Sequence, residues 1–219
     1  MNIVANNLGK RFNREWVFRN FNYEFEPGKT YAITGPNGSG KSTLMQVLWG
    51  QMHPSEGSVD YLTSHPSSGE GTGVRSDQSE IYKSVSIAAP YMDLIDEFTL
   101  EEMVLFHFKF KKSRLPIEVI LKKIELHSSN QKVISSFSSG MRQRLKLALA
   151  FYSESDLLFL DEPCTNLDKK SIEWYVTNLA QVSPDMTAFI ASNQEHEYPA
   201  SANKIDILAY KQVTSPKLN

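Results

Sequence analysis

The chain has 219 residues, with 23 Lys+Arg against 25 Asp+Glu, 41% hydrophobic residues, 11 Gly, 10 Pro and one Cys. That length suits one globular domain with room for a subdomain, and a formal net charge of -2 argues against a nonspecific binder of nucleic acid or anionic lipid. The single Cys164 allows neither an internal disulfide nor a multi-cysteine zinc site and points to a reducing compartment, while the N-terminus MNIVANNLGKRFNREW lacks the apolar core of a signal peptide and no stretch reaches the roughly 18 apolar residues of a membrane span.

In chain order, the first thirty residues alternate apolar and polar, as in Phe21, Tyr23 and Phe25 against Asn22, Glu24 and Glu26, which predicts half-buried antiparallel strands. Pro27-Gly28 marks a turn. Tyr31 to Thr34 reads as a short strand, Gly35 to Gly40 as a glycine-rich loop, and the run with Leu44, Val47 and Leu48 as a helix. Residues 63 to 80, rich in Ser, Gly and charge and without apolar period, read as a mobile surface loop. Val85 to Ala89 is strand-like. The segment from Tyr91 to Phe110, dense in Phe, Leu and Met, predicts helices forming the core of a small helical subdomain. Met141 to Tyr152 has helical spacing, Leu157 to Leu160 is a buried-strand run, Ile172 to Leu179 is helical and Thr187 to Ser192 is another strand. This alternation predicts an α/β fold with a largely parallel sheet.

Gly35-Pro36-Asn37-Gly38-Ser39-Gly40-Lys41-Ser42 fits G-x-x-x-x-G-K-[ST] and lies between a predicted strand and a predicted helix, where a phosphate-binding loop must lie. Its glycines let backbone N–H groups turn toward phosphate oxygens, the helix start adds positive potential, Lys41 reaches the β and γ phosphates, and the Ser42 hydroxyl suits magnesium. Leu157 to Leu160 runs into Asp161 and Glu162, two carboxylates at a buried strand end. The first is placed to hold magnesium and the second to polarise an attacking water. Between these motifs, Phe137-Ser138-Ser139-Gly140-Met141-Arg142-Gln143-Arg144 opens a helix whose start again offers N–H groups and a Ser hydroxyl to an anion.

With these four features in order, counting Thr165-Asn166-Leu167-Asp168, the sequence resembles the nucleotide-binding subunits of ABC transporters over nearly the whole chain. GPNGSGKST is similar to their Walker A motif, FSSGMRQR to their signature, LLFLDEP to their Walker B and TNLD to their D-loop. The resemblance implies a P-loop NTPase core, an antiparallel β subdomain at the N-terminus and a helical subdomain inserted at about residues 91–140 of a single 1–219 domain. It implies ATP and Mg2+ as ligands, with Gly35, Pro36, Asn37, Gly38, Ser39, Gly40, Lys41, Ser42 and Thr43 around the phosphates and Ser42 and Asp161 at the metal. It further implies a second ABC-type subunit, as a homodimer or with a paralogue, whose ATP is contacted by Ser138 and Gly140. A separate transmembrane permease and a place at the inner face of the cell membrane complete the expectation. Its coupling helix would enter a groove lined in part by residues of 91–110. Adenine would stack on an aromatic upstream of the loop. Lys10-Arg11-Phe12 supplies Phe12 for this, with Trp16 second and inward packing of Phe12 as the competing reading.

Four positions in three motifs depart from the pattern. Ser139 and Met141 stand where the family has Gly and Gln. The position of the Q-loop glutamine falls on Pro90, beside Tyr91, with Asp93 as a substitute. The switch histidine falls on Asn193, whose amide can donate a hydrogen bond but cannot exchange a proton near neutral pH, and His196 follows three residues later. The expectation is hydrolysis with Glu162, Lys41 and Asn193 as the catalytic group. The alternative is an ATP-binding clamp with little turnover. Cys164 reads as a packed residue, and His53, His65, His107 and His127 show no metal-ligand spacing.

Overall fold

The alternation at the N-terminus folds as a hairpin. In the computed structural model, which describes residues 1–63, 74–75, 78–126, 129–181 and 186–211, β1 (Asn2–Phe12) pairs antiparallel with β2 (Glu15–Phe25), placing Ile3 opposite Phe25 and Phe12 opposite Glu15. Past the Pro27-Gly28 turn come β3 (Thr30–Thr34) and α1 (Lys41–Leu48). β4 (Glu56–Thr63) returns to the other edge of β1, and β5 (Val74–Arg75) extends the sheet to the order β2-β1-β4-β5. Of the loop expected at 63–80, residues 64–73 and 76–77 lie outside the described residues. The rest is not loop, since β5 pairs through its backbone with Leu62 and Thr63, and Gln78–Ser84 forms a 3-10 helix. Backbone pairing needs no apolar period, so the residues carry no local sign of it.

The second sheet is the expected parallel one. β6 (Val85–Ala88), β7 (Leu157–Asp161), β8 (Thr187–Ala191) and β9 (Asn203–Asp206) join β3 in the order β6-β7-β8-β3-β9, every pairing parallel. β7 and β8 are buried at every position, so their sequences are continuous apolar runs. The two-residue period of the strand sends neighbours to opposite faces. Leu158 and Leu160 of β7, Ala188 and Ile190 of β8 and Ala32 of β3 enter the cluster shared with the helices. Leu157, Phe159, Phe189, Ala191, Tyr31 and Ile33 enter the cluster shared with α1 and the antiparallel sheet. There Phe159 stacks on Phe189 with centroids 4.5 Å apart and planes at 8°, and Phe25 of β2 meets Phe189 edge-on at 5.0 Å. Each such pair adds about 0.5–1.5 kcal/mol beyond its area.

The helical layer comprises α2 (Leu100–Phe110), α3 (Ile117–Lys123), α4 (Ser139–Tyr152) and α5 (Lys169–Ala180). α2 begins at Leu100, later than the apolar density from Tyr91 suggests, because Thr99 starts it with a capping box: its hydroxyl accepts from Glu102 N, and the Glu102 carboxylate accepts from Thr99 N at 2.8 Å. Residues 91–99 are irregular, with turns at Tyr91 and at 96–97 and an isolated antiparallel bridge from Thr99 to Val133. Among the described residues, no helix is long and apolar enough to cross a membrane.

Candidate functional site

Parallel strands place their following loops at one edge of the sheet, and four of those loops build the site. The loop after β3 turns into α1 at Gly40, whose φ of 108° is open to glycine, and a Cβ there would run into Val17 Cγ1. No side chain caps α1 and no acidic residue occupies its first turn, so its N–H groups and positive end are left for an anion. Lys41 is buried, and its Nζ donates to Gly35 O at 2.8 Å and Pro36 O at 3.3 Å. Ser39 N donates to Pro36 O, while the buried Ser39 Oγ has no partner.

The loops after β7 and β8 are tied to this one. Ser192 N donates to Ile33 O and Glu162 N to Ala191 O. Glu162 sits at φ 46°, a left-handed conformation that costs a non-glycine residue on the order of 1–3 kcal/mol. Asp161 is 2% exposed, and its Oδ1 has no hydrogen-bond partner. Burial pushes its carboxyl up to about 6, with the adjacent Ser42 hydroxyl and the Lys41 charge pulling down and Glu162 pushing up. A buried acid with an orphaned oxygen, beside a hydroxyl and a lysine and below an uncapped helix start, fits a divalent cation carried by a polyphosphate. Asn193, exposed at the end of the third loop, donates through Nδ2 to Asn37 Oδ1 at 3.3 Å and so spans from the switch position to the phosphate loop.

The structure thus brings Gly35 through Thr43, Asp161, Glu162 and Asn193 together. It does not bring Ser138 and Gly140 there. Ser138 caps α4 by accepting from Met141 N at 3.2 Å, and a Cβ on Gly140 would lie 2.8 Å from Asn166 O, so these two belong to the start of α4 and the loop at 162–168. Phe12 is 49% exposed at the hairpin end, with Lys10 Nζ 5.4 Å from its ring centroid, so inward packing does not hold. Trp16 is covered on its ring by Arg11 and Arg19.

In the Q-loop segment the Pro90 carbonyl accepts from Lys146 Nζ at 3.1 Å, and Asp93 is exposed near the same lysine. Sequence reasoning passed over Gln46 and weighed Tyr91 only beside Pro90, where it lacks the amide of a glutamine. Burial holds the Tyr91 phenol up at about 12, Gln46 lies beside its hydroxyl, and the Asp161 charge reaches it. The signal for Gln46 was its spacing, one helical turn after Ser42 on the same face of α1. Also missed was Glu197, 2% exposed, whose carboxylate accepts from Cys164 N at 3.2 Å. A cavity of about 480 Å³ opens between the two layers, lined by Trp49, Gln51, Ile87, Tyr91, Met92 and His107 among others. His127 lies outside the described residues.

Comparison with known proteins adds three findings. The family model described as ABC transporter matches residues 18–165. The ABC transporter ATP-binding protein YybJ of Bacillus subtilis is 30% identical over 87% of this chain and 84% of its own length, and the bacitracin transport ATP-binding protein BcrA of Enterococcus faecalis is 30% identical over 94% of this chain but 66% of its own length. Among solved structures, an ATP-binding protein of an ABC transporter from Pyrococcus furiosus superposes with a TM-score of 0.78 at 16% identity, over 97% of this chain and all of that one, a likeness of fold.

Proposed function

Because this chain belongs to the ABC transporter family, whose model spans most of it, we propose that it is an ATP-hydrolysing subunit that powers a separate membrane permease by ATP-driven closure of two such subunits. The observation that carries this reading is the buried Asp161, with an unpartnered oxygen beside Ser42 and Lys41 under the open start of α1. Residues 1–219 act as one ATP-binding domain, with residues of about 91–140 as its helical subdomain, at the cytoplasmic face of the membrane.

The backbone N–H groups from Gly38 to Thr43 bind the β and γ phosphates, and Lys41 exchanges its loop carbonyls for phosphate oxygens. Ser42 and Asp161 hold Mg2+, which when bound offsets phosphate charge. Glu162, fixed by its N–H to Ala191 O, orients the attacking water and accepts its proton. Asn193 donates its amide to the γ-phosphate, a role that needs geometry but no titration. Phe12 offers a face to adenine, and Ser138 and Gly140 present the start of α4 to ATP held by the second subunit. The cavity beside Tyr91 receives a segment of the permease.

Steady-state phosphate release from purified protein with Mg-ATP, beside Glu162→Gln prepared identically, tests the reading. Turnover in the parent that falls by about 100-fold or more in the variant is the expected result. Equal release from both would overturn the role of Glu162, and ATP binding without release from either would leave a clamp.

A further inference from the structure

We infer that Cys164, His196 and Glu197 form a second cation site, separate from the phosphate loop, selective for a soft or borderline divalent metal of the Zn2+ type. Cys164 stands in the loop after β7, and His196 and Glu197 in the 3-10 turn Glu195–Glu197 after β8. One thiol sulfur, one imidazole nitrogen and one carboxylate oxygen from these residues lie within 4.8 Å of one another. In a tetrahedral zinc site neighbouring ligand atoms are about 3.5 Å apart, so the cluster closes on a metal by roughly 1 Å of side-chain movement. His196 is exposed and free to make that movement, and it leaves an entry path. Cys164 and Glu197 are buried.

The surroundings are those of a held ligand set. Cys164 N donates to Glu197 Oε1 at 3.2 Å, and Tyr175 Oη donates to Glu197 O at 2.6 Å, which fixes the backbone behind the carboxylate. The Glu197 carboxyl accepts hydrogen bonds from the Ser192 hydroxyl and the Cys164 N–H, which hold its orientation. Burial pushes the Cys164 thiol up to about 12, and burial also raises the Glu197 carboxyl, with Glu162 adding to the rise. A divalent cation there replaces the thiol proton: the S–H bond breaks, an S–metal bond forms from the sulfur lone pair, and the proton leaves to buffer. Three protein ligands leave the fourth position to water. The bound metal would tie together the two loops that carry Glu162 and Asn193.

Co2+ titration of the reduced protein gives a direct readout, because Cys164 is the sole cysteine of the chain and any sulfur-to-cobalt charge-transfer band must come from it. The expected result is that band together with tetrahedral d–d absorption, saturating at one equivalent and displaced by Zn2+. Cys164→Ser, close in size, should abolish the band, and His196→Ala should weaken binding by about tenfold or more, with circular dichroism showing both variants folded. Asp161→Asn should keep the band, which separates this site from the proposed magnesium site and lets either reading fail alone. Saturation without the charge-transfer band, no saturation at all, or an affinity unchanged in His196→Ala would overturn the assignment.

Discussion

Two ionisable side chains, the half-buried His107 and the buried Asp161, carry opposite pH signatures. His107 donates from Nε2 to Ser153 Oγ at 2.9 Å, since the Ser153 hydroxyl proton is committed to Leu149 O, so Nε2 carries a proton. Burial first, and the Lys111 charge second, hold it down at about 4 from an ordinary 6.5. Its folded pKa is depressed, so its contribution to stability is present above 6.5 and is lost as pH falls toward 4. The loss amounts to about 2 kcal/mol by about pH 5. Asp161, raised from 3.8 to about 6, works the other way, favouring the folded state as pH falls through 6. Urea denaturation of the parent and His107→Gln at pH 7 and pH 5 isolates the histidine. The stability gap between the two proteins should shrink by that amount at the lower pH, and an unchanged gap would show that the imidazole is charged in the fold.

At the scale of the element, boundaries were the part least available to inspection. The apolar density from Tyr91 suggested helix, but density does not encode where a helix starts. Thr99 and Glu102 do, through the reciprocal capping box. Thr99→Ala should lower stability by about 1 kcal/mol in chemical denaturation, and a loss below a few tenths would mean that packing of Leu100, Met103 and Val104 sets the boundary instead. The strands β3, β7 and β8 were legible because burial on both faces leaves an apolar run, and the phosphate loop was legible because only a few residue types tolerate its backbone. β5 was not, since a two-residue pairing rests on backbone groups common to all residues. The partners of Asp161 were half legible: Ser42 and Lys41 lay in a motif, whereas Tyr91 approaches from a distant loop that no local period connects to α1.

At the scale of the whole molecule, one chain presents a phosphate loop and, at the start of α4, a capped helix end that belongs to a different neighbourhood. On the proposed reading each is half of a composite site. Glu162→Gln with Mg-ATP should then run on size exclusion at twice the mass seen without nucleotide, and adding Lys41→Ala should return it to the smaller species. A single elution volume under all conditions would show that the two halves serve no common ligand.

The strand that bears the phosphate loop has a further consequence, in time rather than in space. β3 ends at residue 34, yet its two neighbours are β8, at Thr187–Ala191, and β9, at Asn203–Asp206. A growing chain therefore exposes the loop early and has nothing on either side of its strand until residues 187–206 have been made, so nucleotide cannot help the earlier segments to fold. Ribosome-arrested chains ending before residue 187 should fail to label with a photoreactive ATP analogue, and labelling should begin only once the segment through residue 206 has emerged.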